Sequence, residues 1–323
     1  MTDEQLGFDA AHALLSALKN ELRKIIFGQD EAMELVIMAL IGGGHVLIEG
    51  VPGLGKTLMV RALAKCFAGK YSRVQFTPDL MPGDVTGHAV FNMQKQTFEI
   101  RRGPAFTNLL LADEINRAPA KTQSALLEVM QEFQITIEGK SYPTPEPFMV
   151  LATQNPLEQE GTYPLPEAEL DRFMLKVHVA YPSESDESSI LRSLLPSGDG
   201  VVNALDSITQ LVSVNQVKAL QRQVDRVTVD EKIIEYILKL VRSTRKWPGV
   251  MRGAGPRGSI AMLSASRARA LIEGRSFVTP DDVAEVFQPA VRHRILLSAE
   301  LDIEGINADD VLANILRSSE APR

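Results

Sequence analysis

One cysteine among 323 residues, Cys66, excludes an internal disulfide, and its place in an apolar helical stretch reads as a buried thiol. Long apolar runs are also missing. The longest, residues 35–48, is broken by Gly42-Gly43-Gly44 and His45 and falls short of the ~18 residues a membrane span needs. No run of Lys or Arg exceeds two adjacent residues, and the formal net charge is −7. Nucleic-acid binders carry a basic face or stripe, so a dedicated nucleic-acid-binding role is not expected. The opening MTDEQLGFDAAH lacks the basic region of a secretory signal. Together these absences favour a cytoplasmic protein. There is no internal repeat and no low-complexity segment. With 45% hydrophobic and 23% charged residues the composition is that of an ordinary globular protein, long enough for two domains.

What is present is an ordered alternation. Residues 8–26 place Phe8, Ala11, Leu14, Leu15, Leu18, Leu22 and Ile25 at helical spacing, and a second helix is predicted over 30–40. Short apolar runs at 45–49, 73–76, 109–112, 149–153 and 176–179 read as strands, with helices at 56–67 and 120–132 among them. Strands that are apolar throughout and separated by helices imply an α/β fold with a parallel sheet covered on both faces. After Tyr181-Pro182 only helices are predicted, over 184–195, 215–224, 230–246, 257–273, 280–293 and 308–317. Thr279-Pro280-Asp281-Asp282 has the make-up of a helix start, and Gly274 stands where a helix-ending glycine would. The expected organisation is an αβα core over 1–181 and an all-helical domain over 182–323, which contains the polar, glycine-rich loop 196–203.

Gly50-Val51-Pro52-Gly53-Leu54-Gly55-Lys56-Thr57 fits G-x-x-x-x-G-K-[ST], follows an apolar strand and opens a helix. In that setting glycines let backbone N–H groups curl around phosphate oxygens, and the helix N-terminus adds partial positive charge. Lys56 is expected to reach the β- and γ-phosphates and Thr57 to offer its hydroxyl to Mg²⁺, with Leu58 completing the binding segment. Asp113 and Glu114 end the run LLLADE, where carboxylates are costly unless something cationic compensates them. Beside a phosphate-binding loop, Asp113 suits Mg²⁺ and Glu114 suits proton acceptance from an attacking water. An adjacent pair of acids favours an ATPase that activates its own water. Asn155, in Gln154-Asn155-Pro156, follows another strand; its amide can hydrogen-bond that water and a γ-phosphate oxygen, or merely mark a turn. No Asn-Lys-x-Asp motif follows the acids, which disfavours a GTPase.

These stretches, together with IFGQDEA, FTPDLMPGDVTG, GPAFTNLLLADEINRAPAKTQSALLEVMQE, PFMVLATQNPLEQEGTYPLPEAELDRF and GPRGS, resemble the AAA+ ATPases, and more narrowly the MoxR family. The resemblance implies ATP and Mg²⁺ as ligands and a homo-oligomeric ring, most simply a hexamer. It assigns Asn155 to sensor 1, Arg172 to the arginine finger that reaches a neighbouring subunit's ATP, and Arg257 to sensor 2 in the lid. Gly28 and Gln29 match the segment lining the adenine. On this reading ATP lies between core and lid, and Arg257 closes the lid onto the γ-phosphate held by Lys56. Gly255-Pro256-Arg257-Gly258-Ser259 departs from the Ser-Pro-Arg-Ala common in the family, and Gly258 weakens the first turn there. Arg117 has no assignment.

Two insertions, 83–104 and 133–147, read as hairpins, the first with Val90-Phe91 facing Phe98-Glu99-Ile100 and the second turning at Gly139-Lys140. In relatives such insertions project toward a ring pore and contact clients; the alternative is an edge hairpin packed on the sheet. The resemblance further implies chaperone-like remodelling or metal-centre maturation of a client, with a von Willebrand factor A domain partner. Rival readings are a magnesium-chelatase-like subunit, a DNA-acting ring motor, and a scaffold that binds ATP with little turnover.

Overall fold

The run Leu109–Asp113 is buried at every position, and Met149–Gln154 at all but its last. A strand with no solvent face has to be covered above and below, and the chain supplies that cover with helices. The computed structural model describes residues 6–156, 161–193 and 204–322. The loop expected at 196–203 and the tail of the helix expected to reach 195 lie outside the described residues.

In chain order the elements are α1 (Phe8–Leu22), α2 (Asp30–Ile41), β1 (Val46–Glu49), α3 (Lys56–Cys66), β2 (Tyr71–Gln75) and α4 (Pro82–Thr86). Then come β3 (Gly87–Asn92), β4 (Thr97–Arg102), β5 (Leu109–Asp113), α5 (Ala120–Glu132), β6 (Gln134–Ile137), β7 (Lys140–Pro143), β8 (Met149–Gln154), α6 (Glu167–Leu170) and β9 (Leu175–His178). The remainder is α7 (Glu184–Ser193), α8 (Val214–Arg226), α9 (Glu231–Thr244), β10 (Val250–Arg252), α10 (Pro256–Ile272), α11 (Pro280–Val291), β11 (Leu296–Leu297), α12 (Ala299–Ile303) and α13 (Ala308–Ser318).

Five strands form one parallel sheet in the order β2-β5-β8-β1-β9. Because all run the same way, their C-terminal ends share one edge, where ligands bind in open α/β sheets. Two apolar clusters flank the sheet. One joins residues of β1, β5, β8 and β9 to α1, α2 and α3 and runs on into α8, α9, α10, α11 and α13. The other packs α5 with β6 and the opposite sheet face. Helix α2 thus touches β9 on one side and α8 and α10 on the other. The helix start at Thr279 is as read: its hydroxyl and the Asp282 carboxylate cap each other's backbone N–H groups, and Pro280 opens α11.

Beyond residue 181 the all-helical expectation needs correction. β10 and β11 form an antiparallel ribbon, and α12 is an extra helix. Three and two residues with a register shift are too short to leave a periodic signal.

Both insertions are hairpins. β3 pairs with β4, placing Val90 opposite Glu99 and Phe91 opposite Phe98, and it leaves Phe91, Met93 and Phe98 exposed. β6 pairs with β7, but the turn is Glu138-Gly139, one residue earlier than expected. Both turn residues have positive φ, 48° and 73°, as a two-residue hairpin turn of this twist demands. Ile135 and Ile137 point inward and pack the second hairpin onto the sheet's apolar cluster.

Candidate functional site

The turn after β1 carries Gly53 at φ 89° and Gly55 at φ 79°, left-handed positions where a side chain would be strained. That path aims the N-terminus of α3 back over the strand end. Val51, Pro52 and Leu54 fill the turn between the glycines. Gly50 lies against Val179, whose carbonyl a Cβ would meet at 2.8 Å. Lys56 folds into the loop it opens: its ammonium donates to the carbonyls of Gly50 and, at 3.2 Å, of Gln154. Burial pushes the Lys56 pKa down, while Asp113, Glu114 and Glu49 pull it up.

The two acids sit at the end of β5, and cationic and hydroxyl groups surround them. Thr57 Oγ1 donates to Asp113 Oδ2 at 3.3 Å, and Thr153 Oγ1 donates to Asp113 Oδ1 at 2.6 Å. The Arg73 guanidinium closes on Asp113 Oδ2, with Nη2 at 2.6 Å and Nε at 3.1 Å. Glu114 is left-handed, φ 56° and ψ 52°, a conformation costly for a non-glycine residue. Its N–H donates to Thr153 Oγ1 at 2.9 Å, and its Oε2 accepts from Gln75 at 2.7 Å and from Arg117 at 3.0 Å. Asn155, buried at the tip of β8, follows the Gln154 whose carbonyl receives Lys56. The loop, both acids and Asn155 therefore meet at one edge of the sheet.

A hydroxyl and a carboxylate oxygen converging at Thr57 and Asp113 suit a hard cation that keeps most of its shell from water and phosphate. Among the described residues no cluster of three or more His, Cys, Asp and Glu side chains could hold a metal by itself. Beside the loop opens a cavity of about 240 Å³, lined by Ile25, Ile26, Phe27, Leu54, Leu58 and Ile190 among others. Its apolar walls suit a flat heterocycle. Gln29 Nε2 donates to Leu54 O at 2.5 Å, while its buried Oε1 has no hydrogen-bond partner among the described residues. Gly28, φ 68°, leaves room for Asp186 of α7, which a Cβ would meet at 2.6 Å.

Residues 45–175 match the ATPase family associated with various cellular activities (AAA), and residues 242–315 match the AAA lid domain. The uncharacterized protein YeaC of Bacillus subtilis (strain 168) is 43% identical over 311 residues, 96% of both chains. The protein named Chaperone MoxR1 of Mycobacterium tuberculosis is 41% identical over 94% of this chain and 81% of its own. A crystal structure from Cytophaga hutchinsonii, provisionally described as an ATPase, superposes with a TM-score of 0.89 at 39% identity, covering 98% of this chain and 97% of that one. The chain belongs to the MoxR family of AAA+ ATPases. Nucleotide binding is the family's property.

In this MoxR-family chain the two remaining arginines are elsewhere. Arg172 Nε donates to Gln131 Oε1 at 3.1 Å, and Arg257 Nη2 reaches the same oxygen at 3.5 Å. Together they line a cavity of about 250 Å³ with Gly42, Gly43, Gly44 and Met174. Those glycines precede β1 and Met174 precedes β9, so this cavity is at the N-terminal edge of the sheet. The rise of β1 from Gly44 to Gly50 separates it from the phosphate loop by roughly 20 Å, beyond the reach of one arginine side chain. The expectation that Arg257 closes the lid over its own chain's phosphates is therefore corrected: its lid helix docks at the other end. Gly258, where alanine is common, sits close to its neighbours: a Cβ there would meet Ala254 Cβ and Arg294 Cδ, each at 3.3 Å.

Sequence reading missed Arg73, Gln75 and Thr153 and left Arg117 unassigned. Arg73 and Gln75 alternate on β2 and so share a face, but only the pairing of β2 with β5 brings that face to the acids.

Proposed function

We propose that the chain hydrolyses ATP with Mg²⁺ in a closed ring of identical subunits, most simply a hexamer, and spends the energy on remodelling a client protein. The base lies in the apolar cavity beside Gln29 and the phosphates lie over Lys56. Thr57 and Asp113 would hold Mg²⁺, which when bound would shield charge on the β- and γ-phosphates. Glu114 accepts a proton as a water oxygen bonds to the γ-phosphorus; the bond from that phosphorus to the β–γ bridging oxygen breaks, giving ADP and phosphate. Asn155 hydrogen-bonds the water and a γ-oxygen.

The observation that carries the reading is the separation within one chain: loop, acids and Asn155 at one edge of the sheet, Arg172 and Arg257 at the other. Two cations held, among the described residues, by a single neutral Gln131 and only distantly by Asp171 (Arg257 Nη1 is 3.9 Å from its Oδ2) can serve an anion outside the chain. A neighbour's γ-phosphate is that anion, and both arginines would act on it. An arginine supplied in trans is worth ~10³-fold or more in related reactions.

The division near residue 181 and a cytoplasmic location are part of this proposal. Client remodelling draws support from the relative named Chaperone MoxR1. Metal-centre maturation and a von Willebrand factor A domain partner are the finer readings of it. Among the described residues no helix is long and apolar enough to cross a membrane.

The test mixes Arg172→Ala subunits with Glu114→Gln subunits. Each alone should be nearly inactive, and the mixture should recover activity where an intact Glu114 meets a neighbour's intact Arg172. Mixtures no more active than the sum of the parts would refute the shared site.

A further inference from the structure

Three residues beyond the end of α11 comes Arg294, whose side chain is only 3% exposed and reaches out of the lid into the core. Its Nε donates to Asp171 Oδ1 at 2.7 Å. Its Nη2 donates to the carbonyls of Asp171 at 3.1 Å and Phe173 at 2.7 Å, and its Nη1 to those of Met174 at 3.3 Å and Ala290. Arg292, two residues earlier, adds a bond from Nη1 to Lys176 O at 3.4 Å. The guanidinium therefore grips the main chain on both sides of Arg172 while touching nothing of Arg172's own side chain in these bonds.

A buried guanidinium costs several kcal/mol in lost hydration unless its donors are met. Here one planar fork is met by one carboxylate and four carbonyls, three of them in residues 171–174, and its Nη1 also lies 2.7 Å from His293 Nε2. Such a set has few alternative arrangements, so the segment follows the lid rather than flexing beside it. Gly258 on α10 lies beside the same side chain: a Cβ there would come within 3.3 Å of Arg294 Cδ and of Ala254 Cβ.

We propose that Arg294 is a positioning residue that fixes Arg172 to the lid, so that lid placement in one subunit sets the aim of the arginine presented to the next. This rests on the reading above, in which Arg172 serves a neighbour's nucleotide.

The test is Arg294→Met in the full chain, with kcat, KM for ATP, assembly size and unfolding temperature measured together. Misaiming a catalytic group by about 1 Å costs up to ~10²-fold, so kcat should fall by at least about ten-fold while KM changes by less than about two-fold. A general loss of structure would instead raise KM and lower the unfolding temperature. In Arg172→Ala the added Arg294→Met should cost nothing further. Mixing Arg294→Met with Glu114→Gln subunits should restore activity, because a neighbour can supply a well-aimed Arg172 but cannot repair a defect in the site's own loop.

If Arg294→Met does not assemble, Arg294→Lys replaces it; one ammonium cannot span Asp171 and three carbonyls, and the same pattern is expected. An unchanged kcat, additive losses with Arg172→Ala, or failure to complement where Arg172→Ala does complement would each overturn the proposal and leave the shared site standing. Full activity of Arg172→Ala would overturn both.

Discussion

Gln75 Nε2 donates to Glu114 Oε2 at 2.7 Å, so the carboxylate proposed as base is steered from the neighbouring strand. Arg117 meets the same oxygen from the other side, at 3.0 Å. With Oε2 occupied twice, Oε1 is the oxygen left to take a proton. Gln75→Ala should let the carboxylate swing and lower kcat about ten-fold at nearly constant ATP affinity, the scale of a small misplacement. Glu114→Gln should lower turnover by at least ~10²-fold with binding retained. Steady-state kinetics beside nucleotide titration separates the two quantities. A Gln75→Ala enzyme with normal kcat would remove Gln75 from the machinery.

Gln29 Oε1, without a hydrogen-bond partner among the described residues, is an acceptor beside an apolar cavity. Adenine presents an amine where guanine presents a carbonyl oxygen. Gln29→Ala should weaken ATP binding about five- to ten-fold, the worth of one hydrogen bond, and GTP binding less. Competitive titration with both nucleotides checks this, and an equal loss for the two would mean that Gln29 only props Leu54.

His45, wholly buried at the start of β1, accepts from Val150 N–H through Nδ1 at 3.0 Å and donates through Nε2 to Met130 O at 3.0 Å. Burial lowers its pKa from 6.5 to about 4, so the folded chain keeps it neutral. Below pH 6.5 the unfolded chain takes up a proton that the folded chain refuses. Its contribution to stability is therefore whole above pH 6.5 and is lost as pH falls toward 4, about 2 kcal/mol of it by pH 5. His45→Gln, which keeps a donor and an acceptor, should show a shallower decline of unfolding midpoint between pH 7.5 and 5. His293 is held neutral by burial too and leaves some slope in the variant. Equal slopes would mean that His45 is not the group responsible.

What could be read from the sequence was what is local. The phosphate loop declares itself because glycine, lysine and threonine must stand at fixed offsets between a strand and a helix. The sheet was legible because strands such as β5 have no polar face. The partners of the acids were not, since Arg73, Gln75 and Thr153 reach them only through strand pairing. Nor was Arg294, which contacts Asp171 from 123 positions away. In the second hairpin the sequence offered one glycine, and the turn took Glu138 as its other positive-φ residue instead of Lys140. The lid's docking end was invisible for the same reason: Arg257 lies next to Gln131 by tertiary packing alone.

The placement of the two arginines at the opposite edge from the phosphate loop has an arithmetic consequence. The head-to-tail contact proposed above would join unlike surfaces, and chains so joined either close or continue as filaments. A single copy would own no complete site, and an open string would always own one fewer than its number of subunits. Only closure makes the two numbers equal. Specific activity per subunit would then climb with concentration and level off when the last gap shuts, so the rate itself would report whether the circle is whole.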